Sequence, residues 1–165
     1  MIIRQLAAAD AAAYRHLRLE ALERHPEAFW ESHAEFSRDD VAVVAQRLAA
    51  VTVPEAIFGA FVDAALVGSI GLGVERRIKV AHKGVIWGVY VTAAQRGRGI
   101  ARALVAHVLD HARQHVALVQ LAVAIDNHAA RRLYGQAGFT TFGVERDALR
   151  VDGRSYDEEL MALSF

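Results

Sequence analysis

The chain contains no cysteine. That excludes disulfides, thiolate-ligated zinc and a cysteine nucleophile, and it suits a reducing compartment. Only two prolines occur among 165 residues, and no serine- or glycine-rich tract marks a linker. The sequence therefore reads as one domain over residues 1–165. Neither sign of charge is in excess: 19 Lys and Arg balance 19 Asp and Glu. An extended nucleic-acid surface normally shows a basic surplus, so no nucleic-acid partner is expected. The absence of an acidic surplus argues against polycationic substrates. No apolar run is long enough to span a bilayer. The first twenty residues, "MIIRQLAAADAAAYRHLRLE", carry charges every few positions, unlike a cleavable signal. These absences predict a soluble, cytoplasmic protein with no membrane partner. What is present is a hydrophobic content of 54% with mean hydropathy +0.19, enough for a folded core.

The periodicity places the elements. "MIIRQL" predicts a short strand, and Asp10 is set to cap a helix running to about Glu23, with Leu17, Ala21 and Leu22 facing inward. Pro26 ends that helix, and "EAFWESHAEF" reads as a loop or broken helix. Asp39 and Asp40 open a second helix through "VAVVAQRLAA". "AIFGAFVD" and "LVGSIGLGVER" predict a hairpin about Asp63-Ala64. "HKGVIWGVYV" is nearly all apolar, as a buried central strand should be. Ile100, Ala101, Leu104, Val105, Val108 and Ala112 recur at helical spacing. "ALVQLAVA" is a further buried strand. Asn127 caps the short helix "HAARRLYGQA", Gly138 ends it, and Asp152-Gly153 turns a last hairpin. The order β-α-α-β-β-β-α-β-α-β-β predicts an α/β domain with a mixed sheet.

One junction carries chemistry. Gln95-Arg96-Gly97-Arg98-Gly99-Ile100-Ala101-Arg102 follows an apolar strand and opens a helix at once. The first N–H groups of a helix have no intrahelical partner, and the macrodipole adds positive charge there. Glycines allow a ligand close approach, and Arg96, Arg98 and Arg102 add full charges. Together they predict a phosphate or pyrophosphate site. The competing reading is a glycine turn with surface arginines. The P-loop pattern is absent, and Arg102 stands where a dinucleotide fingerprint would have its third glycine.

Two stretches together resemble a known family. Arg96-x-x-Gly99-x-Ala101 after "VYV" is similar to the acyl-CoA signature of the GNAT superfamily of N-acetyltransferases. "NHAARRLYGQAGF", Asn127 to Phe139, is similar to that family's second signature, Asn-x-x-Ala-x-x-Leu-Tyr-x-x-x-Gly-Phe. The resemblance extends across the chain, with "RHLRLEALERHPEAFWES" like the first helix and acceptor-side loop. It implies a mostly antiparallel sheet of about seven strands flanked by about four helices, with the fourth and fifth strands splayed. It also implies acetyl-CoA as the acyl donor. The pantetheine arm would lie along Val89, Tyr90 and Val91, held by backbone groups. The pyrophosphate would rest on Gly97, Arg98, Gly99, Ile100, Ala101 and Arg102, beside Arg96. Asn127 would bond the arm or a nearby water, and Tyr134 would point its hydroxyl at the sulfur.

The expected chemistry is direct attack of a primary amine on the thioester in a ternary complex, with Tyr134 as general acid. The acceptor is a small molecule or a peptide or protein N-terminus, and its identity stays open. "GVIWGVYV" holds no acidic residue, so a base must come from elsewhere. Glu31, Glu35, Glu75 and His82 are candidates, and Glu31 is chosen because its loop resembles the acceptor side. Phe29 and Trp30 either line an acceptor pocket or pack the helix break. His107, His111 and His115 share one helix face, but no carboxylate joins them, so no metal is expected. Two other classes compete: a catalytically silent acyl-CoA sensor, and an unrelated phosphate-binding domain. The apolar C-terminal strand is a candidate homodimer surface.

Overall fold

The computed structural model describes residues Met1–Phe165. Seven strands form one sheet: β1 (Ile2–Gln5), β2 (Ala56–Val62), β3 (Ala65–Val74), β4 (Lys83–Val91), β5 (Leu118–Ala124), β6 (Thr140–Val151) and β7 (Arg154–Ser164). Their spatial order is β1-β2-β3-β4-β5-β7-β6. Every neighbouring pair is antiparallel except β4 with β5. That parallel pair needs a crossover, and α4 (Ile100–Ala112) provides it. The remaining helices are α1 (Ala11–Arg24), α2 (His33–Phe36), α3 (Val41–Ala50) and α5 (His128–Gln136). The short α2 lies within the stretch predicted as a loop or broken helix.

The helices cover both faces of the sheet. On one face Leu104, Val105 and Val108 of α4 pack with Ile70, Leu72 and Val119 in the main core. On the other, Tyr14 and Leu22 of α1 meet Val44 and Leu48 of α3 over Ile57. Both hairpins turn as their residues allow. Asp63 and Ala64 have φ of 48° and 66°, and Asp152 and Gly153 have φ of 50° and 77°. Two successive positive φ values belong to the primed turns that suit strand twist. Asp40 caps α3 by accepting from Val43 N–H at 2.9 Å. Asp10 differs from the prediction. It makes no cap bond to α1; instead it takes Arg4 in a two-pronged ion pair and accepts from Ala7 N–H. A guanidinium on β1, six positions earlier, outcompetes the helix amides for this carboxylate. No helix is long and apolar enough to cross a membrane.

The β4–β5 pairing is brief. It joins Lys83 to Leu118, Gly84 to Val119 and Val85 to Gln120, and then ends. On its other side β4 pairs with β3, but Trp87 faces Gly71 and Tyr90 faces Ser69. Gly88 and Val89 thus stand opposite the single residue Ile70. That extra residue is a β-bulge, and Gly88 adopts φ +64° in it. Bulges bend their strand and raise local twist, which keeps β4 apart from β5 beyond the last shared pair, Val85 with Gln120.

Packing just before the bulge is tight. A Cβ added at Gly71 would lie 2.3 Å from Trp87 Cε2, because the indole rests flat on the glycine. Gly71→Ala is expected to lower stability by about 1–3 kcal/mol through overpacking. Urea unfolding of Gly71→Ala, Trp87→Ala and the double variant should show most of that loss relieved once the ring is removed. Strict additivity would contradict the contact.

Candidate active site

Beyond Val85 and Gln120, β4 and β5 diverge around a cleft of about 660 Å³. Ile86 to Val91 line one side and Leu121 to Ala124 the other. The facing edges have no strand partner there. The floor is apolar, and the N-terminal ends of α4 and α5 close the cleft.

The α4 end follows from its glycines. Gly97 and Gly99 have φ of 77° and 79°, a left-handed conformation that costs glycine little and other residues more. A Cβ at either would meet nothing within 4 Å. Their backbone therefore faces open space at the start of a thirteen-residue helix. The neighbouring cations are not equally free. Arg96 donates from Nε to Val91 O at 3.1 Å and contacts His25 Nε2 at 2.9 Å. Arg98 is bonded to Gln95 and Arg102 to Gln136. Arg96 and Arg102 line the cleft; Arg98 does not.

From α5, Tyr134 enters the cleft wall. Its ring is buried, with 6% exposure, against Phe139. Burial pushes the Tyr134 hydroxyl well above its ordinary value, so it stays protonated. Asn127 lines the cleft and caps α5, its Oδ1 accepting from Ala130 N–H at 3.1 Å. Its side-chain amide remains as a donor. Val89 and Val91 present backbone along the open edge, although Val91 O is already engaged by Arg96. Tyr90 turns its ring to Leu17 and Ala21 of α1 and donates to Glu20 Oε1 at 2.9 Å. It contributes backbone, not side chain.

The acidic candidates scatter. Glu75 and His82 lie at the closed end, where Glu75 N–H bonds Lys83 O and His82 O receives Ala117 and Leu118. Glu35 closes a capping box with Ser32 at the start of α2, which holds its carboxyl below the ordinary range. Glu31 is outside the cleft lining. Its Oε2 accepts from Nε and Nη2 of Arg18 at 3.4 and 3.2 Å. Phe29 does line the cleft, over the Arg18 guanidinium at 4.7 Å. Trp30 is 76% exposed, and its indole N–H donates to Glu158 Oε2 at 3.1 Å.

Glu158 is the residue the sequence did not reveal. It sits on β7 directly across from Ala124, a cleft residue, and two positions from Tyr156, another. Only 3% of it is exposed. Burial pushes its carboxyl up; the Trp30 bond opposes this and the nearby Glu145 adds to it. Its pairing depends on a strand contact 34 positions away in sequence. No local motif encodes that. The histidines of α4 serve packing: His107 and His111 both meet Phe58 edge-on, and His111 Nε2 contacts Pro54 O.

The same arrangement occurs in known proteins. Over 63 residues the chain is 46% identical to the N-alpha-acetyltransferase RimI of Mycobacterium tuberculosis, covering 38% of this chain and 39% of that one. The match thus spans under half of that relative's length. In fold, it superposes on the ribosomal-protein-alanine N-acetyltransferase of Brucella melitensis with a TM-score of 0.89, at 24% identity over all of both chains. It also superposes on yncA, a putative acetyltransferase from Salmonella typhimurium solved with its cofactor acetyl-CoA. There the TM-score is 0.87, at 23% identity over 99% of this chain and 93% of that one. The Acetyltransferase (GNAT) family matches residues 13–139, a span that takes in most of α1, the splayed strands, the glycine junction and Tyr134. The chain belongs to the Acetyltransferase (GNAT) family.

Proposed function

We propose that the protein transfers an acetyl group from acetyl-CoA to a primary amine, by direct attack while both substrates are bound. One observation carries this reading: the open β4–β5 edge runs from the Gly88 bulge to a helix N-terminus fronted by two bare left-handed glycines. That shape suits a linear arm ending in a pyrophosphate. Backbone N–H groups receive the phosphates without side-chain interference, and the unpaired strand edge can bond an extended amide chain as another strand would. The fold neighbour solved with acetyl-CoA supports the same ligand.

Acetyl-CoA supplies an activated acyl thioester. The chain's own groups supply orientation and proton handling. A backbone N–H at the bulge, that of Val89, would polarise the thioester carbonyl. The amine forms its C–N bond as the C–S bond breaks, and the thiolate takes the Tyr134 proton. Asn127 keeps its amide for the arm. The chain has no cysteine and no Gly-x-Ser-x-Gly elbow, so a covalent acyl-enzyme lacks a nucleophile.

The base assignment follows burial. Neither carboxylate lines the cleft, and each is bonded through Oε2 alone, Glu31 to Arg18 and Glu158 to Trp30, but Glu158 is the more buried of the two and sits beside cleft residues of β5 and β7. A carboxyl whose proton affinity is raised by burial is a better acceptor for an ammonium proton than an exposed one. Glu158 is therefore the leading candidate, with Glu31 as the alternative.

Three outcomes are expected. Acetyl-CoA at about a hundred times its Kd should stabilise the fold by about 2.7 kcal/mol. Gly99→Val should remove that thermal shift, because a branched side chain at φ +79° enters the open space and strains the turn. A shift of undiminished size in folded Gly99→Val would exclude the cradle. Tyr134→Phe keeps the ring and loses the proton. Calorimetric affinity for acetyl-CoA should hold while kcat drops about a hundredfold, the lower end for acid catalysis. A loss confined to KM would make Tyr134 a binding residue; unchanged turnover would remove it from the reaction.

The third outcome concerns pH. Glu158 acts ionised, so activity falls as pH drops through its titration, which burial moves up from the ordinary glutamate value. Trp30→Phe removes the bond that favours the ionised form, and the acid limb of kcat/KM should move to higher pH. Glu158→Gln should cost more at neutral than at alkaline pH, where the amine loses its proton unaided. If Glu31→Gln shows that pattern and Glu158→Gln does not, the base is Glu31.

A further inference from the structure

Arg18 is an anomaly. It lies on α1 with only 8% exposure, and long charged side chains are seldom so buried unless fully paired. Its pairing is incomplete. Nε and Nη2 share the single oxygen Glu31 Oε2, at 3.4 and 3.2 Å. This is a long one-oxygen contact, not the two-pronged arrangement a carboxylate can give. The remaining nitrogen, Nη1, is the one buried side-chain polar atom in the chain without a hydrogen-bond partner. An orphaned buried donor is costly, and more so when charged.

Nη1 also has a direction. A Cβ built on Gly88 would lie 3.7 Å from it, and no other atom comes within 4 Å of that point beyond the chain neighbours. Gly88 is the cleft residue at which β4 bulges. Ser69 Oγ donates to Gly88 O at 3.3 Å and steadies the bulge from the β3 side. Phe29, another cleft residue, lies over the guanidinium at 4.7 Å. So a positive charge with one unused nitrogen, Nη1, stands just outside the cleft lining, behind the point where the proposed reaction occurs, entering from the α1 side of the sheet.

We propose that Arg18 binds the carboxylate of the acceptor, and that the acceptor is therefore an α-amino acid. This rests on the acetyl-transfer reading above. An attacking amine sits about 3–3.5 Å from the carbonyl carbon. In an α-amino acid the carboxyl carbon lies about 2.5 Å from that nitrogen, as bond lengths near 1.5 Å and an angle near 111° require. An amine at the Gly88–Val89 bulge thus brings its own carboxylate to Nη1. Two aspects favour an anion over a neutral carbonyl: the site offers net charge incompletely offset by Glu31, and Glu31 itself is 35% exposed in its side chain, so solvent shares its charge. Glu31 then acts as a positioning residue that orients the guanidinium.

The test uses the full chain, acetyl-CoA and matched acceptors: a set of free L-amino acids, their carboxamides, and the amines lacking the carboxyl. Thiol release should favour the free acids over both analogues by ten- to a hundredfold in kcat/KM, the range for a hydrogen bond to a charged group. Arg18→Met, which fills the volume without charge, should raise KM for the acids by a similar factor and leave the analogues within two- to threefold. Arg18→Lys, which restores charge without the fork, should recover part of the loss. A thermal shift given by free amino acids without acetyl-CoA should vanish in Arg18→Met. Circular dichroism establishes that each variant is folded; should Arg18→Met fail to fold, the acceptor comparison in the unmodified protein and Arg18→Lys decide. Equal kcat losses for acids and analogues would make Arg18 a stabiliser of the thioester oxygen and overturn the proposal. So would turnover of amides or peptide N-termini as fast as free acids. No turnover of any amine would instead defeat the transferase reading on which the proposal rests.

Discussion

The structure depends on where one pair of strands stops pairing. β4 and β5 share three residue pairs and separate after Val85, and three positions further on β4 bulges at Gly88. Hydrogen bonds that would have closed the sheet stay open on both edges, and the open edges form the cleft. An exposed strand edge is ordinarily a hazard for aggregation. Here it is recessed between helices, with α4 and α5 starting at its mouth. The bulge requires a left-handed residue, and Gly88 supplies it without a side-chain clash. The same residue leaves room for Arg18 to approach from the far side.

Around that opening, charge is arranged by burial. Tyr134 is deep enough to keep its proton, and Glu158 is deep enough to hold one more readily than an exposed carboxylate would. The loop between α1 and α2 ties the acceptor side together. Phe29 covers Arg18, Trp30 holds Glu158, and Glu31 pairs with Arg18. Three consecutive side chains thus connect helix α1 to strand β7. A shift of that loop would move the Arg18 guanidinium and the Glu158 carboxyl together.

Much of this was legible in the sequence where the signal is local. The glycine junction, the Asn127 cap and both primed turns rest on residues within a few positions of one another, and the pattern of apolar strands fixed the sheet class. The scattered base candidates show the limit. Glu31, Glu35, Glu75 and His82 are equally polar in sequence. Only the fold separates a residue beside Arg18 from a capping residue and from two at the closed end of the strands. Asp10 went to Arg4 because an ion pair between separate elements outbids a cap that looks sufficient locally. Glu158 and the idle nitrogen of Arg18 were invisible for the same reason. Their burial is set by β5, β7 and the bulge, which meet only after folding.

The claim that the splayed edge receives the acyl donor is tested most directly by amide hydrogen exchange with and without acetyl-CoA. Peptides covering residues 86–91 and 97–102 should gain protection on binding, while the outer strand β6 should exchange as before. Saturable binding that protects neither segment would contradict the account.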